Sequence, residues 1–456
     1  VVVGDPKQMP PAPGAGDIRG EQAPEASSIL TRCLDGGLTQ HRLTWHYRSR
    51  DESLVAFSNR HYYDGRLLTF PSPLTIVPGS DAAPGGHGIS LRRVRGRYFR
   101  PEDRARHPHV QPNTNPLEAK RVVEEVLRHV EACPDRLPSL GVITFNDRQR
   151  DLIENSLREV ASPRVIEALD ARDGLFVRNL ENVQGEERDT ILFSATFAAN
   201  AQGDLPLNFG VLNHAGGERR LNVAITRARR QIIVFTSFDP QDLHAERTAH
   251  RGVKDLRAYL HQAAEGRAPR ALPASQSPLN WHRREIAEAL EAAGLTVHTG
   301  VGHSTFEIDL VLARADQPDR PAVAVLLDGP QWNKREGVVE RDLLPVDVLR
   351  TMGWQRVERV WMPEWLADRQ AVVARLIQAA GGHWVPPTPS TAVFESERTG
   401  QTEDAAPLTD DGVQADARDG ADVGGEAMAP ASGPRASGEE YTAWSPAGVR
   451  PLEILD

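Results

Sequence analysis

Cysteine is nearly absent: Cys33 and Cys133 are the only two in 456 residues. That excludes a disulfide framework, and with no partner at metal-ligand spacing both read as ordinary buried thiols in a reducing compartment. Also missing are a run of about eighteen apolar residues and a charged-then-apolar leader, so the sequence predicts neither a membrane span nor a secretory signal. A cytoplasmic protein is the expectation. No internal repeat relates one part of the chain to another.

Most of the chain likewise lacks an excess of acid. The net charge is −10, but 14 Asp and Glu against 4 Arg fall in residues 391–456, leaving 49 acids and 49 bases in residues 1–390. The tail over 385–456, rich in Ala, Gly, Pro, Asp and Glu and poor in aromatics, cannot bury enough apolar surface to fold and is predicted to be disordered. It reads as a solvated linker or a tail that binds a protein partner.

What is present is an alternation of strand-like and helix-like runs. "LGVITF", "GLFVRNL", "DTILFSA" and "QIIVFTSF" are short and β-rich; "NDRQRDLIENSLREV" and "GERRLNVAITRARR" between them read as helices. Such alternation predicts an α/β unit with a largely parallel sheet. Ahead of it, "NPLEAKRVVEEVLRHVEAC" places Leu117, Val122, Val123, Val126, Leu127 and Val130 at helical spacing behind a proline, as core positions. A Pro/Ala/Ser linker at 263–278 leads to a second, smaller α/β unit: a helix, three strands, a helix and a further strand. Trp354, Trp361 and Trp365 are expected in its core.

Four stretches of the first unit carry the chemistry: "GDPKQMPP" (Gly4 to Pro11), "LTWHYRSR" (Leu43 to Arg50), "VQGEERDTI" (Val183 to Ile191) and "LNVAITRARR" (Leu221 to Arg230). Singly, each has an ordinary reading as a turn or a surface cation. Jointly and in this order, they resemble motifs III, IV, V and VI of superfamily 1 helicases, in the branch of the RNA-decay and Okazaki-fragment-processing enzymes.

The resemblance implies two RecA-like parallel-sheet motor domains, the first ending within residues 1–40 with Val1–Val3 as its core strand, the second over 41–262. It implies ATP as cofactor, contacted by Gly4, Asp5, Gln8, Gln184, Gly185, Glu186 and Arg227, and single-stranded DNA or RNA as partner. Phosphoryl transfer gathers negative charge that cations must stabilise, and Arg48 and Arg227 match the family's two catalytic arginines. Gln8 matches its γ-phosphate sensor and Glu186 a ribose-binding carboxylate. Lys7, Arg229 and Arg230 read equally as surface or backbone-binding charges.

Neither a G-x-x-x-x-G-K-[ST] loop nor a strand ending in Asp-Glu ahead of "GDPKQMPP" occurs. The expectation is therefore a C-terminal part of a longer helicase, which alone would not hydrolyse ATP.

In the second unit, Asp309 ends "FEIDL", Asp328 ends "AVAVLLDG" and Glu285 lies on the preceding helix, three acids that could hold Mg²⁺ through oxygen ligands. Residues 279–384 resemble very-short-patch repair endonucleases of the PD-(D/E)XK fold. The resemblance implies a metal-dependent DNA endonuclease with Glu285, Asp309 and Asp328 as catalytic and metal-binding residues. Leu326 stands at the usual Glu, however, which lowers the site's charge and weakens Mg²⁺ binding. Glu340, Arg341 and Asp342 match an "ERD" that supports the metal or a phosphate. Three readings follow: the second half of a nucleic-acid motor with a C-terminal domain that cuts or grips, a stand-alone endonuclease with a motor remnant, or a non-catalytic nucleic-acid-binding module.

Overall fold

Asn115 opens the first long helix, Pro116–Glu131, by accepting the Glu118 amide on its side chain at 3.2 Å. Pro116 occupies the first turn, where no amide hydrogen is needed. Val122, Val126 and Val130, four residues apart, bury one face. Leu117 is exposed instead: five residues before Val122, it lies about 140° around the helix from that face. A computed structural model describes this and the other elements over residues 1–9, 28–75, 86–200, 202–266, 281–335 and 337–381. The acidic tail and most of the linker lie outside the described residues.

The helix packs on a parallel sheet. After a two-stranded piece, β1 (Trp45–His46) and β2 (Leu68–Thr69), come β3 (Gly88–Arg93), β4 (Leu140–Thr144), β5 (Phe176–Asn179), β6 (Arg188–Ala198) and β7 (Ala228–Ser237), ordered β3-β7-β6-β4-β5 with every pair parallel. Strands covered on both faces read as continuous apolar runs, and all of β4 and nearly all of β6 are buried. The two faces carry separate clusters, one around Phe193, Phe209 and Tyr259, the other around Val126, Leu140 and Ile233.

Two expectations need correction. The helix expected through Arg230 stops at Ile225, and β7 begins at Ala228, because pairing with β6 and β3 outweighs the local helical pattern. Val1–Val3 form no strand and are exposed. A strand is held by a neighbouring strand's amides and carbonyls, and among the described residues none pairs with them.

The second unit is built on β8 (Leu295–Val301), β9 (Ile308–Arg314), β10 (Gln317–Leu327) and β11 (Arg356–Val360), ordered β11-β10-β9-β8. The β8, β9 and β10 strands are antiparallel neighbours and β11 runs parallel to β10. One face is covered by the helices Trp281–Ala292 and Arg369–Gly381, the latter not foreseen in the sequence. Trp354 and Trp365 are buried as expected; Trp361 is 37% exposed, since it sits at the start of the helix Met362–Ala367 where the chain leaves the sheet.

The other face receives Phe70, which packs with Phe306, Leu326 and Val348. The chain around β2 is thereby strapped to the second sheet. The Thr69 amide donates to the Ser304 hydroxyl at 3.0 Å, Trp354 Nε1 to the Pro71 carbonyl at 2.7 Å and the His303 amide to Glu52 Oε1 at 3.1 Å.

Candidate functional site

The amino-terminal ends of β6 and β7 bring three of the four sequence stretches together. Arg227 lies in the turn between the helix Gly217–Ile225 and β7, and Gln184-Gly185-Glu186 form the turn before β6. The segment after β1 joins them through the Arg50 amide, which donates to the Arg229 carbonyl at 2.7 Å. Gly185 has φ +86°, a conformation that suits glycine, and nothing lies within 4 Å of where its Cβ would be. Gln184 is exposed beside it.

Arg227 is 5% exposed. Its Nε donates to the Val223 carbonyl at 2.8 Å and its Nη2 to the Thr226 hydroxyl at 3.1 Å. Among the described residues no carboxylate lies within ion-pair distance of it. Burial, and then the neighbouring Arg48, pull its pKa down to about 10, so it keeps its charge at neutral pH. His46 is buried beside both arginines; burial first, then Arg48 and Arg227, hold its pKa at about 4, so the ring is neutral and adds no third charge. The half-exposed Arg48 pairs with Glu187 at 2.9 Å, and Glu187 also approaches Arg229 at 3.6 Å.

The "GDPKQ" loop reaches the same helix. Asp5 accepts the Tyr63 hydroxyl at 2.7 Å and Gln8 Nε2 at 3.0 Å on one oxygen, and the Lys7 amide at 2.8 Å on the other. Asn222 Nδ2 donates to the Lys7 carbonyl at 3.0 Å and to the Tyr63 hydroxyl at 3.1 Å. Among the described residues Asn222 Oδ1 is buried with no partner. Gly4 lies against Leu30, where a Cβ would come within 3.2 Å of Leu30 Cδ2. Gln8 is thus linked through Asp5, Tyr63 and Asn222 to the helix that ends at Arg227.

Three members of this cluster escaped sequence reasoning. Asn222 lies inside the "LNVAITRARR" stretch without having been singled out, Tyr63 was not singled out, and Glu187 was passed over for Glu186. The structure directs the Glu186 carboxylate to Arg188, at 3.2 Å, and to Arg178, at 4.0 Å. The i, i+1 difference that separates two carboxylates in a turn has no sequence signal.

The acids of the second unit behave otherwise. Asp309 takes Arg283 Nη2 at 2.5 Å on one oxygen and the Leu327 amide at 2.8 Å on the other. Both oxygens of Asp328 face the Met362 amide at 3.0 Å. Glu285 is held by Arg369 at 2.7 Å and by Trp365 Nε1 at 3.3 Å. Leu326 lies in the core against Phe70. Mg²⁺ asks for several oxygen ligands, carboxylates first, yet among the described residues no three or more His, Cys, Asp or Glu gather where they could hold a metal. The expected Glu285-Asp309-Asp328 metal centre is not gathered among the described residues: each acid is turned to its own donor.

A parallel α/β domain with two guanidiniums at its strand ends is thus followed by a small mixed-sheet domain whose carboxylates are separately engaged. Comparison with known proteins places families on both. Residues 26–239 match the family AAA_12, described as an AAA domain, and residues 282–380 match the family REase_MTES_1575. The chain carries a superfamily 1 helicase-type domain of the RecA-like fold followed by a nuclease-like domain.

It is similar to the uncharacterized ATP-dependent helicase MG140 of Mycoplasma genitalium, 26% identical over 416 residues, covering 84% of this chain and 34% of that protein. The homologue of that helicase in Mycoplasma pneumoniae is 27% identical over 377 residues, covering 78% of this chain and 31% of that protein. The chain spans about a third of the length of these relatives. The solved C-terminal domain of a possible DNA helicase from Lactobacillus plantarum WCFS1 aligns with 26% of this chain and 66% of its own at 11% identity, with a TM-score of 0.19, a likeness that carries no argument. No helix of the described residues is long and apolar enough to cross a membrane.

Proposed function

We propose that this chain supplies the cationic half of an ATP site in a nucleic-acid motor, with Arg48 and Arg227 as the groups that meet the γ-phosphate. The observation that carries the reading is Arg227: a buried guanidinium with no carboxylate partner among the described residues, in the field of a second guanidinium. A buried unpaired charge is costly, and two neighbouring cations repel, so an anion between them would lower the free energy of both.

The fit to a nucleotide extends beyond the arginines. Gly185 leaves its amide open to a phosphate, Asn222 Oδ1 lacks a partner, and Gln8 is tied by hydrogen bonds to the arginine-bearing helix. ATP would bring a phosphoanhydride bond to this edge of the sheet. Arg227, anchored by Val223 and Thr226, would be held in place for developing charge rather than having to reorganise toward it. Because Gln8 and Asn222 share Asp5 and Tyr63, a change at the phosphate end would be felt in the loop. We read the partner as a single-stranded nucleic acid and the whole as an ATP-dependent helicase or translocase.

The test is single-turnover ATP hydrolysis in a polypeptide that joins this chain to a G-x-x-x-x-G-K-[ST] loop and its Asp-Glu strand end. Arg227→Ala should lower the rate about 10³-fold or more, as loss of an arginine finger does, without loss of folding. An unchanged rate would remove Arg227 from the mechanism.

A further inference from the structure

We propose that the nuclease-like domain grips a nucleic-acid phosphate in an arginine pocket without a divalent metal, with Arg283, Arg335 and Arg359 as the ligands. The inference goes beyond the motor reading, and only its choice of nucleic acid as partner rests on that reading.

Hydrogen-bond accounting separates acceptors from donors around Asp309. Asp309 accepts from Arg283 and an amide, Asp328 from an amide, and Asp342 from Trp332 Nε1 at 2.8 Å with Arg359 3.8 Å away; Arg359 also donates to the Arg341 carbonyl at 2.9 Å. Buried donors should find partners, and here several do not. Among the described residues Arg283 Nε and Arg341 Nε are buried with none, and the His282 ring, a donor on one nitrogen and an acceptor on the other when neutral, has both nitrogens buried and unpartnered. Among the described residues Arg335 makes no ion pair. Its guanidinium lies over the Phe306 ring, 5.2 Å from the centroid, in the field of Asp309 and Arg359. Beside these carboxylates the arginines keep donors that no described residue takes up, and a phosphodiester offers two anionic oxygens that arginine forks fit.

Arg283 also explains why no dication is needed. It reaches from the helix Trp281–Ala292 to Asp309 and lies 3.6 Å from Glu307, placing a fixed monovalent cation between the two carboxylates. A strand would find a stacking surface alongside. Trp361 is exposed, has Arg359 over its ring at 5.1 Å, and meets Trp332 edge-on at 5.6 Å. Aromatic faces next to arginines hold bases without reading sequence.

The experiment is fluorescence anisotropy of a labelled single-stranded oligonucleotide with the full chain, in EDTA and in Mg²⁺ or Mn²⁺, at several salt concentrations. Equal affinity with and without metal and no cleavage are expected. Arg335→Gln, which breaks no ion pair with a described residue, should weaken binding about tenfold and make the slope of log affinity against log salt shallower by about one. Trp361→Leu should weaken binding with little change in that slope. Affinity that disappears in EDTA, cleavage abolished by Asp309→Asn, or wild-type binding by Arg335→Gln would each overturn the proposal. So would inorganic phosphate at millimolar concentration protecting Arg335 from a guanidine reagent when the oligonucleotide does not. If ATP turnover ignores Arg227 while Arg335→Gln still weakens binding, the motor reading falls and the pocket stands. The reverse pattern sinks the pocket alone.

Discussion

In the first domain two cations feel each other's charge: among the described residues Arg227 pairs with no acid, and Arg48 shares one half-exposed carboxylate with Arg229. In the second domain a part-buried arginine is clasped by acids, with Arg283 between Asp309 and Glu307. The same residue type is held in opposite ways. An unpaired buried cation destabilises the fold and is useful only when an anion arrives. A paired one stabilises the fold and, by neutralising its acids, removes the charge a metal would need. Catalytic poise and structural anchoring can thus be told apart by asking what each guanidinium would lose if its neighbours stayed and it left.

That question gives the largest expected effect. Arg283→Met would leave Asp309 and Glu307 part-buried without their cation, at a cost of about 3–5 kcal/mol. Arg227→Met would remove an unpaired buried charge and fill its space with an apolar chain, for a change near zero or a gain. Thermal unfolding of both variants at one pH measures the contrast. Equal losses in both would show that Arg227 has a structural partner after all and would break the comparison.

Two buried acids sharpen it through pH. Glu52, at the seam between the sheets, and Glu118, at the far end of β6, are each pushed up to about 7, in both cases chiefly by burial. Glu52 accepts the Thr69 hydroxyl and the His303 amide, while its Oε2 is buried without a partner. Glu118 accepts the Ser194 hydroxyl at 2.7 Å and the Thr196 amide at 2.6 Å. A folded-state pKa raised above the unfolded 4.5 gives stability that is complete below pH 4.5 and lost as pH rises through about 7. Each acid should therefore remove about 3 kcal/mol between pH 5 and 8. Glu52→Gln and Glu118→Gln keep an acceptor and should each flatten roughly half of the fall in Tm. A Tm that rises with pH over that window would contradict both.

The comparison also marks what could be read from sequence. The parallel sheet was legible because buried strands such as "LGVITF" are apolar throughout, and motif order singled out Arg48, Gly185 and Arg227, which lie on segments at one edge of that sheet. Whether an acid is free or engaged was not. Asp309 and Asp328 fall where a metal centre would need them, but the Leu327 and Met362 amides that occupy them are backbone groups of residues whose side chains carry no such signal. Likewise nothing in "RAR" says that the strand begins before its second arginine; β6 and β3 decide that through pairing. Charge placement was readable, charge pairing was not, since pairing is made by contacts between residues far apart in the chain.

The smallest effect tests the rim of the proposed ATP site. Arg48 and Glu187 are 41% and 39% exposed, so solvent screens their attraction and Glu187→Gln should change stability by less than about 1 kcal/mol. Its electrostatic consequence is larger than its structural one. Glu187 is the carboxylate that offsets the repulsion felt by Arg227, and without it the two guanidiniums present an undiluted positive field to an incoming phosphate. In a polypeptide with the phosphate loop joined on, the KM for ATP should fall a few-fold, and the gain should fade as salt shortens the Debye length to about 8 Å at physiological strength. If KM rises instead, Glu187 holds Arg48 in place for the phosphate rather than competing with it, and the first domain, like the second, depends on an acid to position its arginine.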